Sequence, residues 1–124
     1  MDTEKFHGLL LDNLNAAVLL LDEQLTIAYV NSAAESLLQI GSSRLLGSEI
    51  YSLFNDAESC KKTLAEAILS GNPHTRRHEK LRISTFNDIS QVDYTATPME
   101  VLGKRTLLLE VQPIDRFIKI NREE

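Results

Sequence analysis

The chain has 124 residues and a mass of 13.9 kDa, with 43% hydrophobic and 25% charged residues, the balance of one ordinary soluble domain and not of a disordered chain. Thirteen Lys and Arg against eighteen Asp and Glu leave a formal net charge of -5, which disfavours non-specific binding to nucleic acid or anionic membrane because like charges repel. A lone cysteine, Cys60, excludes an intramolecular disulfide framework, and apolar runs such as Ala16–Leu21 are far too short to span a bilayer.

The N-terminus Met1-Asp2-Thr3-Glu4 is acidic and unlike a secretory signal. With the single thiol, it gives the expectation of a cytoplasmic protein. Charge is uneven: residues 1–60 hold nine acids and two bases, 2 − 9 = −7, whereas residues 61–124 hold eleven bases and nine acids, 11 − 9 = +2. A solvated surface is the plain meaning of such asymmetry.

A short helix is predicted first, over residues 1–13. Asp2 or Thr3 can cap it, and Phe6, Leu9 and Leu10 fall at helical spacing. A helix this short is unstable alone, so its stripe must pack on something. Ala17–Leu21 then reads as a buried strand, Asp22-Glu23-Gln24 as a turn, and Leu25–Val30 as an alternating strand of the same hairpin.

Asn31-Ser32 ends that strand and opens a helix. Ser32-Ala33-Ala34-Glu35 has capping-box spacing, with Asn31 as a strand-to-helix corner and a second cap. Gly41 is a natural stop. Arg44–Phe54 predicts short helical turns that offer Leu45, Leu46, Ile50, Leu53 and Phe54 to the core. The clearest helix is Ala57–Ser70. Asp56 caps it, Gly71 and Pro73 end it, and Cys60, Leu64, Ala67 and Ile68 share one face.

Three strand signals follow, over Thr75–Ser84, Ser90–Thr97 and Arg105–Gln112. In the second, Val92, Tyr94 and Ala96 face one way; in the third, Leu107, Leu109 and Val111 do so. Asn87-Asp88 and Leu102-Gly103-Lys104 are turn chemistry. Ile114, Phe117 and Ile118 return to helical spacing in an exit segment over 114–124. Five strands with helices between them predict an α+β domain, one antiparallel sheet with helices on one face.

The stretch Leu14–Phe54 carries a strand, an acidic turn, Ala28-Tyr29-Val30-Asn31-Ser32-Ala33-Ala34-Glu35 and Leu46-Gly47 in an order that resembles PAS domains. The resemblance implies a PAS domain over 14–113, with a five-stranded antiparallel sheet in strand order 2-1-5-4-3 between N- and C-terminal flanking helices. Within that fold, Leu10–Asp22, Tyr29–Glu35 and Ser42–Gly47 are similar to the sensor domain of the nitrogen-regulation histidine kinases of the NtrB (GlnL) type. That resemblance implies a regulatory and dimerisation module, a kinase body that phosphorylates the response regulator NtrC, and control by the PII signal protein. The sequence holds no H-E-x-x-N-P phosphoacceptor motif and no glycine-rich ATP lid, so the expectation is that this stretch is not itself the catalyst.

His74 and His78 invite a metal reading. On a strand, four residues separate their rings by roughly 13 Å, too far to chelate one ion, and no third ligand is evident. Arg76, Arg77, Lys80 and Arg82 make a basic run suited to an acidic partner or simply to solvent. The part that would carry a flavin-binding Cys in related PAS domains, about Gln39–Gly47, has none, and Asp56–Ser70 offers no haem-ligating His. No metal and no cofactor is therefore expected.

Asn31, Ser32 and Glu35 stand as a structural or signalling corner. Phe6, Leu9, Leu10, Ile114 and Phe117 stand as a dimer face, with packing on the chain's own sheet as the plain alternative. No nucleophile, base and charge stabiliser cluster, so an enzyme is the weakest of three readings. The others are a homodimeric regulatory module and a small-metabolite receptor.

Overall fold

The computed structural model describes residues 16–83 and 88–114. The apolar run at its start forms β1 (Ala17–Leu21), which pairs antiparallel with β2 (Ile27–Val30). β2 is shorter than the alternation from Leu25 predicts. The Asp22 carboxylate accepts the N–H groups of Gln24 at 3.0 Å and Thr26 at 2.9 Å, which lengthens the turn by an Asx-type loop. Leu25 closes it with a φ of 64° and is turned into the core.

Helices α1 (Ser32–Leu38) and α2 (Ser42–Leu45), a 3-10 helix (Ile50–Leu53) and α3 (Ala57–Ser70) follow. α3 begins where the sequence predicts: the Asp56 carboxylate accepts the Ser59 N–H at 3.1 Å, and Gly71 closes the far end with a φ of 73°. Its stripe of Cys60, Leu64 and Ala67 is fully buried. Leu45, Ile50 and Phe54 join the same core. Leu46 does not, being 47% exposed. α2 is a single turn, and Leu46 already has an extended backbone at its C-cap, so its side chain leaves the buried face.

The last three strands are β3 (His74–Ile83), β4 (Asp88–Val101) and β5 (Lys104–Pro113). The sheet order is β2-β1-β5-β4-β3, all pairs antiparallel. This is the α+β architecture expected, with helices packed on one face. Val92, Tyr94 and Ala96 of β4 meet Leu107, Leu109 and Val111 of β5 and Ala17, Leu19 and Leu21 of β1 in one apolar cluster under the helices.

β4 runs past the predicted Thr97 and through Pro98. β3 starts at His74, opposite Ala96, so the end of β4 pairs with β5 alone. A proline is tolerated there because no third strand needs its missing donor. Leu102 and Gly103, with φ of 53° and 77°, join β4 to β5 as a two-residue hairpin turn of left-handed residues.

No helix among the described residues is long and apolar enough to cross a membrane. The flanking helices predicted over 1–13 and 114–124, with Phe6, Leu9, Leu10 and Phe117, lie outside the described residues. Ile114 is the exception: its N–H donates to the Gln91 carbonyl at 3.0 Å, extending the exit of β5 along β4.

Candidate functional site

Among the described residues Asn31, Thr63 and Ser90 are the buried polar side chains, and clusters of polar groups form around the first two. The first is the corner at Asn31, which is 0% exposed. Its Oδ1 accepts the Ala34 N–H at 2.9 Å and the Val18 N–H at 3.0 Å, and its Nδ2 donates to the Ala16 carbonyl at 2.8 Å. One side chain thus caps α1 and ties the first residues of β1 to it. This departs from the capping box: Asn31, not Ser32, is the cap, and Ser32 is the first helical residue. Glu35 instead accepts the Ser42 N–H at 2.8 Å, joining α1 to α2. Asn31 wins because its amide offers an acceptor and a donor at once, and the β1 edge presents one of each.

The second place lies under α3, and a β-bulge creates it. Along β3 the register runs Arg76 to Tyr94 and then Glu79 to Val92, so three residues of β3 span two of β4. His78 takes up the extra residue with a φ of 59°, its N–H donating to the Asp93 carboxylate at 3.0 Å. One added residue inverts the alternation of faces. Arg76 and Glu79, which strict alternation would set on opposite faces, both turn toward the helix. Arg76 donates to the Thr63 hydroxyl at 3.2 Å and to the Glu79 carboxylate at 3.4 Å.

Beside Thr63 sit two buried groups. The Cys60 thiol is pushed up to about 12, chiefly by burial, so it is protonated and inert as a nucleophile. Tyr94 packs its ring on Phe54, with centroids 5.1 Å apart. Its hydroxyl lies against Cys60 and Thr63 but completes no hydrogen bond. Burial pushes its titration upward as well.

The bulge also rearranges the predicted basic run. Arg76 is on the helix side, while Arg77, Lys80 and Arg82 are exposed. His74 is half-buried and its Nε2 lies 3.3 Å from the Ser70 hydroxyl. His78 is exposed at the bulge, so the two histidines do not share a face as an unbroken strand requires. Sequence reasoning did not find the cluster of Thr63, Arg76, Glu79 and Tyr94. Tyr94 was legible only as a core residue. The one signal for the rest is that inward alternation of Leu81 and Ile83, continued back through β3, would bury Arg77 and Thr75 and expose Arg76.

The space between helices and sheet, bounded by Leu19, Leu38, Ile50, Phe54, Leu81 and Val111, is filled down to about 10 Å³. Outside it, between α3 and the start of β3, runs an open groove of about 860 Å³ lined by polar residues that include Lys62, Thr63, His74 and Arg76.

A five-stranded antiparallel sheet in this order, with its helices on one face, is the fold of PAS domains. A family model described as the PAS fold matches residues 8–114, and the chain belongs to that family. Among curated proteins it is 27% identical over 122 residues to the sensory histidine kinase/phosphatase NtrB of Escherichia coli O157:H7, and the same holds for that of Shigella flexneri. The match covers 98% of this chain, which spans 34% of the length of those relatives.

Among solved structures, the PAS domain of nitrogen regulation protein NR(II) from Vibrio parahaemolyticus superposes with a TM-score of 0.71 at 24% identity, covering 87% of this chain and 97% of that one. A PAS domain from Colwellia psychrerythraea gives 0.79 at 17% identity, covering 93% and 99%.

Proposed function

We propose that this PAS domain is the regulatory and dimerisation module of a cytoplasmic two-component histidine kinase of the NtrB type, acting in control of nitrogen assimilation. In the complete protein, NtrC would be the response regulator that receives the phosphoryl group and PII the controlling partner. The observation that carries this reading is the 27% identity to NtrB along 98% of the chain.

The sheet supports the dimer. The face away from the helices carries Leu20 of β1 with Leu108 of β5 opposite it, both partly exposed, while Val18 beside them is already buried. The stripes at Phe6, Leu9 and Leu10 and at Ile114 and Phe117 need an apolar surface of this kind, supplied by their own sheet or by a second copy. A self-complementary apolar patch makes a two-fold contact. Such a contact transmits a signal when the input favours one of two packings over the other. Asn31, with Ser32 and Glu35 beside it, ties the start of the sheet to α1 and α2 and so gives that shift a rigid lever. Arg77, Lys80 and Arg82 offer a basic face to the kinase body or to an acidic partner.

Sedimentation across micromolar concentrations tests the module. The parent is expected to dimerise, and Phe6→Glu and Leu10→Glu to shift it toward monomer. A parent that stays monomeric throughout removes the dimer. Phosphotransfer to NtrC by the complete protein, measured with and without PII, tests the nitrogen reading; no transfer would remove it.

A further inference from the structure

We propose that the groove between α3 and β3 binds a small carboxylate-bearing molecule, received by the Arg76 guanidinium and the Thr63 hydroxyl. Nothing in this site depends on a kinase being attached. The groove, of about 860 Å³, has room for a small metabolite. Its cations are Lys61, Lys62 and Arg76, and its acids are Glu58 and Glu66. Lys61 is drawn aside, 5.3 Å over the Tyr51 ring, and Arg76 is the cation in contact with Thr63.

Arg76 is held ready. Its side chain is 42% exposed and is fixed by Thr63 at 3.2 Å and Glu79 at 3.4 Å. A guanidinium has five donors in a rigid fork, so donors remain for a ligand in the groove. The contact to Glu79 shows that a carboxylate fits this fork, and its length, beyond that of a strong charge-assisted bond, makes it displaceable. Arg76 meets it only because the bulge at Arg77-His78 turns the guanidinium to the face that Glu79 shares with Leu81.

A second observation points to the same spot from the core side. The Tyr94 hydroxyl, in a side chain 1% exposed, lies within reach of Cys60 and Thr63 but makes no well-formed hydrogen bond to either. The Thr63 oxygen accepts one bond from Arg76 and retains a second lone pair and its own proton. A carboxylate that takes the Thr63 proton into the groove turns the free lone pair to Tyr94, supplying the acceptor its hydroxyl lacks. Groove occupancy is thereby linked to the centre of the sheet. Glu58 and Glu66 on the rim favour a singly charged carboxylate end over phosphate.

The test is isothermal titration of the full chain with succinate, and in parallel with inorganic phosphate, at constant ionic strength. Saturable succinate binding is expected. Arg76→Gln should weaken it about tenfold or more, the scale of a lost charged hydrogen bond. Glu79→Gln, which removes the internal competitor, should tighten it about fivefold. Tyr94→Phe should weaken it while leaving the unliganded protein as stable or more so, since the deleted hydroxyl was unpaired. No saturable succinate binding, equal binding by Arg76→Gln, weaker binding by Glu79→Gln or a preference for phosphate would each overturn the assignment.

Discussion

Strands β5 and β3 flank the same neighbour, β4, and each spans ten residues. They behave differently. β5 keeps an unbroken register with β4 from Val101 opposite Lys104 to Val92 opposite Pro113, and its Leu107, Leu109 and Val111 are all buried. β3 slips by one residue between Arg76 and Glu79, and of its side chains only Leu81 is buried.

β5 lies between β1 and β4, so any slip would misplace its apolar residues against two partners at once. Apart from one isolated bridge between Leu81 and Phe54, β3 pairs with β4 alone, and it buries little before Leu81. Its first half exerts no apolar preference for either face, so a bulge costs little there. The difference teaches that where burial is weak, pairing is free to insert a residue, and polar side chains then reach positions that the pattern reserves for apolar ones.

The sharpest way to break this contrast is to delete one residue from each strand. Removal of Leu108 is expected to abolish cooperative unfolding in urea followed by circular dichroism, because every inward residue on one side of the gap changes face. Removal of His78 restores regular alternation, leaving Arg76 opposite Tyr94 and Glu79 opposite Val92. Stability is expected to change by less than about 1 kcal/mol, as relief of a left-handed residue offsets loss of its hydrogen bond to Asp93. Comparable losses from the two deletions would refute the contrast.

A smaller effect is expected from truncation. Leu109→Ala should cost about 3–4 kcal/mol, the range for a fully buried leucine that leaves a cavity, seen as a lower urea midpoint with an unchanged slope. Smaller still, His78→Gly should raise stability by about 0.5 kcal/mol, since glycine accepts a positive φ without steric cost but loses more chain entropy on folding. A clear loss from His78→Gly would show that the imidazole itself holds the bulge.

Legibility followed the same division. Val92, Tyr94 and Ala96, the stripe of α3 with its Asp56 cap, and the alternation of β5 were all readable, because each is a local pattern whose period states which side is buried. The Leu25 turn was not, since the Asp22 carboxylate reorganises the chain through two backbone amides and leaves no trace in hydropathy. Nor was the choice of Asn31 over Ser32 as cap, which depends on the backbone of β1 lying alongside. The groove and its floor were invisible: Thr63 and Arg76 are thirteen positions apart, and Arg76 reaches the face of Glu79 only through a bulge that alternation argues against.

By itself, then, the order of residues determined the number of strands, the apolar faces of β4 and β5 and the limits of α3, because burial with period two or 3.6 is written in neighbouring side chains. Tertiary structure alone decided where polar groups are taken inside: Asn31 between strand and helix, and Arg76, Glu79, Thr63 and Tyr94 beneath α3. A buried polar atom is settled by the partner that reaches it, and those partners come from strands and helices distant along the chain.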